Sequence, residues 1–354
     1  MSSRIRSPTL VRMVPPSEPR ASPTAQFMQY VTGYWITQIL GTLVRLEVVE
    51  QLAGGPRPCA DVARALGLEG QHLYRLLRGG VTAGMLVEAP PRTFALTPLG
   101  EALRRGVPGS MRGMALTMSN PGHWLPWGQL GEAVRTGKPR TLETLGMDFW
   151  GWLNRDPVLT EEFAEAMGNV SDEVGVELAA LHDFSSLARV ADIGGSQGVL
   201  LGHVLKAHPG CRGILFDQPA VIPSARARLE AQGLADRVDL VGGDFFASGI
   251  PEAEAYLLKF ILHDWPDTQA SRILQRIHDG SPSRARLFVL EQVIPDDGSP
   301  SFASLLDLNM LAVVGGKERT GEEFRTLFAA TGWTLEGISP SRTGMSLIEA
   351  RRGQ

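Results

Sequence analysis

Short apolar runs alternate with helical segments from Leu187 to the end of the chain. Five of these runs are predicted to be strands: Val190–Ile193, Gly213–Phe216, Val238–Val241, Tyr256–Phe260 and Arg286–Leu290. Strands that alternate with helices are typical of a parallel sheet. The last two predicted strands, Thr334–Ile338 and Ser346–Ala350, are joined by a loop too short for a crossover, so they form an antiparallel hairpin. The pattern predicts an α/β fold with seven strands.

Before these strands the pattern is helical. Large apolar side chains recur at near-helical spacing from residue 24 to residue 51: Phe27, Tyr30, Val31, Tyr34, Trp35, Ile39 and Leu43. Gly33 and Gly41 interrupt the pattern, so one helix and two shorter helices are alternative interpretations. The aromatic surface exceeds what a small domain buries, which predicts a homodimer in which a second copy covers this segment.

A mostly helical winged-helix pattern follows. Its predicted elements are two helices and a hairpin: Asp61–Leu66, Gln71–Ala83, Leu86–Glu88 and Thr93–Leu96. DNA binding is one interpretation of such a unit. Its second helix offers a thin basic face for phosphates, made of His72, Arg75 and Arg78, so we favour dimerisation.

The helical stretch from Met111 to about Leu181 connects the two regions and is rich in large apolar side chains. They serve either as ordinary core or as the lining of an apolar small-molecule pocket: Met114, Met118, Trp124, Trp127, Phe149, Trp152, Phe163 and Met167.

Length, composition and charge exclude several classes of protein. With 354 residues, 43% of them hydrophobic and 20% charged, the chain is a globular protein too long for one ordinary core. A net charge of −4 argues against nucleic acid as the main partner. Cys59 and Cys211 have no metal-binding neighbours, so we expect neither a disulfide framework nor a metal site. No apolar run approaches the roughly 20 residues of a membrane span.

Polar residues follow each of the five parallel strands, at the edge where open α/β sheets bind ligands. They are Asp192, Asp217, Asp244, His263 with Asp264, and Glu291. The loop Asp192–Gly198 is rich in glycine, which lets its backbone approach a ligand closely. Polar residues at five neighbouring strand ends predict a single binding site.

The same loop indicates which ligand binds there. A dinucleotide fingerprint needs G-x-G-x-x-G, and counted from Gly194 its second glycine position is occupied by Ser196, so NAD is disfavoured. Asp192 would repel phosphate, but it suits the amino group and sulfonium of S-adenosylmethionine. Asp217 would accept hydrogen bonds from ribose hydroxyls, unless it caps a helix before Pro219.

Two further features concern the adenine and the reaction. Asp244 and Phe245 would contact the adenine of the same ligand. His263 is the candidate general base, because a phenol with a pKa of about 10 carries little phenolate at neutral pH. A carboxylate on the second ring nitrogen would fix the histidine tautomer, and Glu291 and Glu318 are both candidates.

Several motifs, in order along the chain, resemble the class I small-molecule O-methyltransferase family, which includes plant caffeate-type enzymes and bacterial antibiotic-tailoring enzymes. These motifs are Val190-Ala191-Asp192-Ile193-Gly194-Gly195, Gly243-Asp244-Phe245-Phe246, Leu262-His263-Asp264-Trp265, Asp307-Leu308-Asn309-Met310-Leu311 and Gly315-Gly316-Lys317-Glu318-Arg319-Thr320. The resemblance implies a Rossmann-like methyltransferase sheet whose last strand is antiparallel, and an N-terminal winged-helix dimerisation domain.

The resemblance also implies roles for individual residues. His263 would be the catalytic base, flanked by Glu291 and Glu318, with S-adenosylmethionine converted to S-adenosylhomocysteine. The implied cofactor contacts, with Asp192 added from the loop chemistry, are Ser171, Asp192, Gly194, Asp217, Asp244, Phe245, Lys259 and Trp265. The implied acceptor pocket, to which we add Met118 and Asp264, comprises Met118, Phe163, Met167, Asp264, Met310 and Leu311.

Two departures from the family pattern narrow these expectations. Ser196 stands where many members have a third glycine, which should tighten the loop without abolishing binding. The segment before Gly315 is one residue shorter than in plant members and lacks their polar residue, which argues against a plant phenylpropanoid acceptor.

The expected reaction is methyl transfer to a phenol-like or enol hydroxyl of a small aromatic secondary metabolite. A decarboxylase or hydroxylase of a polycyclic metabolite is one alternative, although His263 with its two glutamates favours methyl transfer. A DNA-binding regulator that senses the cofactor is another. The expected organisation is a disordered tail at 1–20, a winged-helix dimerisation domain at 21–108, a helical connector lining the acceptor pocket at 109–182 and a cofactor-binding catalytic domain at 183–354, in a cytoplasmic protein.

Overall fold

The N-terminal part of the computed structural model is a helical unit with a small sheet. The structure describes residues 22–342 and 344–353, so the predicted tail at 1–20 lies outside the described residues. The elements of this unit are α1 Pro23–Val31, α2 Gly33–Arg45, α3 Val48–Leu52, β1 Arg57–Pro58, α4 Cys59–Leu66, α5 Gly70–Thr82, β2 Leu86–Ala89 and β3 Thr93–Leu96. The three strands pair antiparallel in the order β1-β3-β2, which completes the predicted winged-helix arrangement.

Two glycines explain how the N-terminal helices are built. The predicted helical stretch divides between α1 and α2 at Thr32, directly before Gly33. Gly41 lies inside α2 and does not break it. A Cβ at Gly41 would lie 1.8 Å from Ser119 Oγ, so glycine here allows a neighbouring helix to approach α2 closely.

Seven helices follow as a connector: α6 Pro98–Glu101, α7 Arg112–Ser119, α8 Pro121–Trp127, α9 Leu130–Thr136, α10 Thr141–Leu145, α11 Phe149–Asn154 and α12 Pro157–Leu181. The 25-residue helix α12 begins with Asp156 as its N-cap, whose carboxylate accepts a hydrogen bond from the Val158 amide, and with proline at its first position. It packs against both α7 and the helix that follows the first strand of the large sheet, so it links the N-terminal unit to the sheet.

The rest of the chain forms the large sheet and its covering helices. The elements are β4 Arg189–Ile193, α13 Val199–Ala207, β5 Arg212–Asp217, α14 Ile222–Ala231, β6 Val238–Gly242, β7 Ala255–Lys259, α15 Asp267–Gly280, β8 Arg286–Glu291, β9 Val293–Ile294, α16 Phe302–Val313, β10 Arg319–Thr320, α17 Gly321–Ala329, β11 Trp333–Pro340 and β12 Ser346–Arg352. The seven-stranded sheet has the order β11-β12-β8-β7-β4-β5-β6, and β9 and β10 form a separate parallel pair.

This topology confirms the predicted fold class. Strands β4 to β8 pair parallel, and β12 pairs antiparallel with both of its neighbours. Several predicted strand ends differ from the observed ones by one or two residues, and β7 ends at Lys259, not at Phe260. Phe260 has φ +54°, a left-handed conformation outside the region of extended strands, and the chain leaves the sheet there.

Alternating side chains fill the two faces of the sheet. Leu257 and Phe288 pack with α12, α13 and α14, whereas Tyr256, Leu258 and Val289 pack with α15 and α17. Both faces are therefore covered, as a parallel sheet requires. Among the described residues, no helix combines the length and the apolar character needed to cross a bilayer.

Candidate active site

The carboxyl ends of β4, β5, β7 and β8 lie side by side at one edge of the sheet. Four of the predicted site residues belong to these strand ends: Asp192, Asp217, Lys259 and Glu291. The turn Leu262–Asp264, which follows β7, adds His263 and Asp264 at the same edge. The parallel topology thus brings together residues that are far apart in the sequence.

The glycine-rich loop after β4 leaves no room for side chains at its first two glycines. Gly194 has φ +72°, and a Cβ there would lie 2.4 Å from Ile261 Cδ1. A Cβ at Gly195 would lie 2.7 Å from Asp192 Cγ. Gly198, at φ +73°, is the N-cap of α13. The loop is therefore a bare backbone cradle, as a closely bound ligand requires.

Ser196 folds into this cradle without a glycine. It takes φ +51°, and its amide donates to Asp217 Oδ2 at 2.7 Å. The Gln218 amide donates to Asp217 Oδ1, also at 2.7 Å. Each Asp217 carboxylate oxygen keeps a further lone pair that can accept a hydrogen bond from a hydroxyl group. The interpretation of Asp217 as a helix cap is wrong, because the N-cap of α14 is Val221.

Asp192 on β4 and Lys259 at the end of β7 are two charged groups of opposite sign that attract each other. Asp192 is 2% exposed, and no described residue donates a hydrogen bond to its Oδ2. Burial raises the pKa of Asp192 to about 7, opposed by Lys259. Burial also lowers the pKa of Lys259 to about 8, against the attraction of Asp192. A buried carboxylate oxygen with no donor suits a ligand that brings an ammonium group.

The candidate adenine contacts form an aromatic group at the end of β6. Asp244 Oδ1 accepts a hydrogen bond from the Phe246 amide at 2.8 Å, which fixes the start of this loop. The Trp265 ring packs edge-on against Phe245 and Phe246, with centroid distances of 6.0 and 4.7 Å. Trp265 is thus fixed by other aromatic rings, and the exposed Asp244 is available to a ligand.

The His263 side chain is buried, and a carboxylate fixes its orientation. His263 Nδ1 lies 2.6 Å from Glu318 Oε1, and the Glu318 side chain has no exposed surface. Burial, with the repulsion of Asp307, raises the pKa of Glu318 to about 8, and Arg319 opposes that rise. With Nδ1 engaged, Nε2 is the nitrogen left for an acceptor, and Asp264 Oδ1 lies 3.5 Å from it.

Glu291 supports the backbone beside His263, not its ring. Its Oε1 accepts the amides of Ile261 at 3.2 Å and His263 at 3.0 Å. Of the two candidate carboxylates, Glu318 is therefore the one on the ring nitrogen. The Phe260 ring stacks on the His263 imidazole at 4.8 Å with an interplanar angle of 8°.

The candidate acceptor residues come from three helices and the His263 turn. Phe163 on α12 packs edge-on against Phe149 and Trp150 of α11, with centroid distances of 5.7 and 6.0 Å. This cluster also contains the last residues of α16, the helix that carries Met310 and Leu311. Met167 accepts, through its carbonyl, a hydrogen bond from Ser171 Oγ at 2.7 Å. Met118 is half-buried on α7, which packs against α12.

Comparisons with known proteins identify this arrangement. A family model described as "O-methyltransferase domain" matches residues 127–334, and one described as "O-methyltransferase dimerisation domain" matches residues 28–106. The chain belongs to the O-methyltransferase family. The family and the enzyme class predicted from the sequence are therefore confirmed.

Individual relatives agree with this assignment over nearly their whole length. The phenazine O-methyltransferase PhzM of Lysobacter antibioticus is 37% identical over 92% of this chain and 95% of its own. The 8-amino-8-demethylriboflavin N,N-dimethyltransferase of Streptomyces davaonensis is 36% identical over 96% of this chain and 99% of its own. The structure of human N-acetylserotonin methyltransferase in complex with S-adenosylmethionine has a TM-score of 0.85 at 28% identity, covering 96% of this chain and 100% of that one.

Two residues of this O-methyltransferase site were missed by sequence reasoning. Phe260 was assigned to a strand, and nothing in its sequence context signals a left-handed residue stacked on histidine. Arg319 lies inside the Gly315–Thr320 motif, but its contacts appear only when that segment folds against the His263 turn.

Proposed function

We propose that this protein transfers the methyl group of S-adenosylmethionine to a hydroxyl of a small aromatic secondary metabolite, with His263 as the general base. The observation that carries the proposal is the buried His263–Glu318 contact of 2.6 Å, which leaves Nε2 for the acceptor hydroxyl. A glutamate on Nδ1 holds the imidazole in the tautomer whose Nε2 can take a proton.

The residues around the glycine-rich loop fit S-adenosylmethionine, which supplies an electrophilic methyl group on its sulfonium. Asp192 Oδ2, which lacks a donor among the described residues, would accept from the ammonium group. Asp217 would hold the ribose hydroxyls, and Asp244 with Phe245 and Trp265 would hold the adenine. Ser171 and Lys259 complete this proposed set. Gly194 allows the ligand to lie directly against the backbone.

The acceptor is proposed to lie among Phe163, Met167, Met310 and Leu311, with Met118 beyond them, and Asp264 beside Nε2 would orient its hydroxyl. His263 would take the phenolic proton as the oxygen attacks, a contribution of about 10²–10⁴-fold to the rate. The enzyme's other contribution is alignment of oxygen, methyl carbon and sulfur.

Methylation of nitrogen is a second candidate, because one relative at 36% identity is named as an N,N-dimethyltransferase. A paired assay separates the two functions: an aromatic phenol and the matching aromatic amine, each with methyl-labelled S-adenosylmethionine. Product mass also distinguishes both from decarboxylation or hydroxylation, which add no methyl group. We expect labelled methyl ether from the phenol.

His263→Ala is the decisive variant for the proposed base. We expect phenol methylation to fall by about 10²-fold or more while the affinity for S-adenosylhomocysteine, measured by calorimetry, stays unchanged. His72→Ala is the matched control, because His72 is a surface histidine of the N-terminal unit with 78% of its side chain exposed. An unchanged rate in His263→Ala would refute the assignment.

We further propose a homodimer formed through the N-terminal domain, and a cytoplasmic location. The family model for residues 28–106 and the exposed aromatic side chains of α1 and α2 support the dimer. Two buried free cysteines, Cys59 and Cys211, fit a reducing compartment. The acidic charge of the chain speaks against a nucleic-acid partner.

A further inference from the structure

Arg319 is a buried cation next to the proposed base. Its side chain has no exposed surface, and it opens the two-residue strand β10 directly after Glu318. A guanidinium without solvent needs partners for its donors, and Arg319 has them all nearby. Nε donates to Asp267 Oδ1 at 2.9 Å, Nη1 to the Leu262 carbonyl at 3.0 Å and Nη2 to the Trp265 carbonyl at 2.9 Å.

The two carbonyls lie on either side of His263 and Asp264. Leu262 comes directly before this pair and Trp265 directly after it, so one planar guanidinium joins both ends of the turn. Between them, the His263 carbonyl accepts a hydrogen bond from the Lys317 amide at 2.9 Å. Residues 317–319 therefore bond to three carbonyls of the turn, those of Leu262, His263 and Trp265. Glu291 bonds to backbone amides of the same turn.

Arg319 also balances the negative charge around His263. The charged groups that act on His263 or Glu318 are Asp264 on the turn, Glu291 on β8, Asp307 on α16 and Arg319 on β10. Lys259 on β7 acts on Asp264 and Glu291, and Lys317 acts on Asp307. Arg319 lowers the pKa of Glu318 against burial and against Asp307. It lowers the pKa of Glu291 and of Asp307 in the same way.

We propose that Arg319 is a positioning residue for methyl transfer, whose guanidinium clamps the Leu262–Trp265 turn so that His263 meets Glu318 in the reactive orientation. The proposal rests on the proposed function of His263 as base. Arg319 touches no reacting atom, and it acts through the turn backbone and through the charge of Glu318.

Two variants separate these two actions. Arg319→Met removes both the guanidinium hydrogen bonds and the positive charge. We expect kcat for a phenol to fall about 10²-fold, the size of effect that a small misplacement of a catalytic group produces. In the profile of kcat against pH for Arg319→Met, the low-pH side, where the rate falls, should move to higher pH by about one unit. The reason is that Glu318 loses a neighbouring cation, which raises its pKa. Arg319→Lys keeps the charge but cannot span both carbonyls and Asp267, so kcat should fall while the acid limb stays in place.

The matched control is Arg325→Met on α17, because Arg325 is 60% exposed and pairs only with Glu322 among the described residues. It should leave kcat and the pH profile unchanged. In Arg325→Met, calorimetry should show the wild-type affinity for S-adenosylhomocysteine. In the Arg319 variants the Trp265 ring stays packed against Phe245 and Phe246, so this affinity should change far less than kcat.

A measurement without turnover separates this inference from the proposed function. Nitrogen-15 spectra of the histidine rings in the complex with S-adenosylhomocysteine report the His263 tautomer, with His263→Ala identifying its signals among the seven histidines. We expect one tautomer in the wild type and a mixture in Arg319→Met. A wild-type protein that methylates no aromatic acceptor contradicts the proposed function, whereas unchanged spectra and kinetics in both Arg319 variants overturn the role of Arg319. If Arg319→Met does not fold, Arg319→Lys decides by its kcat.

Discussion

The Glu318 carboxylate is buried and has no exposed surface. Its pKa is raised to about 8 by burial, and its only ring contact is His263 Nδ1 at 2.6 Å. Protonation of Glu318 on acidification removes the carboxylate charge that supports His263 as a base. Methyl transfer is therefore expected to be fastest above the pH at which Glu318 is protonated.

We predict that kcat for a phenolic acceptor rises with pH through a window set by Asp264, with a pKa of about 7, and Glu318, with a pKa of about 8. Both pKa values are raised, so each group is protonated below its value and ionised above it. Rates at saturating substrate from about pH 5 to pH 10 measure this. Glu318→Gln removes the higher of the two pKa values, so the limb should move down towards pH 7, and kcat should fall about 10²-fold. A wild-type rate independent of pH across the window would contradict the pairing.

The roles of the two glutamates show what the sequence could not decide. Both Glu291 and Glu318 were candidates for the ring nitrogen, because each lies in a segment that reaches the same sheet edge. Glu291 ends β8, and the direction of a side chain at a strand end depends on where the next loop turns. Its carboxylate meets the amides of Ile261 and His263, a contact between segments 28 residues apart or more. Only the folded chain distinguishes the two.

The segment 315–319 and the His263 turn are two elements that pack backbone to backbone. A Cβ at Gly316 would lie 1.9 Å from the His263 carbonyl oxygen and 2.4 Å from the Asp264 carbonyl carbon. Backbone cannot move aside as a flexible side chain can. Only glycine at this position lets the Lys317 amide bond to the His263 carbonyl, and this contact fixes the position of Glu318, the next residue along the chain.

We therefore predict that Gly316→Ala separates these two segments and lowers kcat about 10²-fold, the usual size of a misplacement effect. S-adenosylhomocysteine affinity should stay close to that of the wild type. Gly131→Ala on α9 is the control, because its added Cβ meets nothing within 4 Å and should leave the rate unchanged. Kinetics and calorimetry on both variants test this, and full activity in Gly316→Ala would rule out the tight contact.

Elements with a long apolar pattern were predictable, and short or contact-dependent ones were not. The seven strands of the large sheet appear where apolar runs predicted them, and the central strands β4, β5, β7 and β8 bury side chains on both faces. The two-residue strands β1, β9 and β10 are too short to show a repeating pattern of apolar residues. In the connector, Pro121, Gly137 and Gly146 divide one helical pattern into several helices, and their exact breaks follow from packing.

The N-terminal helices α1 and α2 present an exposed apolar face. Helix α1 has nine residues and buries none of them. Phe27 is 64% exposed, Tyr30 72% and Trp35 55%. An isolated helix of this length is unstable in water, because its few hydrogen bonds do not offset the entropy of ordering the chain. A stable helix here needs a surface to pack on, and residues 22–342 and 344–353 of a single copy do not provide one.

We predict that this surface is a second copy, so that sedimentation equilibrium gives twice the mass of one chain. Trp35→Glu combined with Tyr30→Glu places charges in the apolar face, and burying an unpaired charge is costly, so the variant should sediment as a monomer with a lower melting temperature. Val176→Glu on α12 is the control, because Val176 is 59% exposed but lies outside α1 and α2. It should remain dimeric. A monomeric wild type, or a double variant that stays dimeric, would show that the N-terminal helices do not form the dimer.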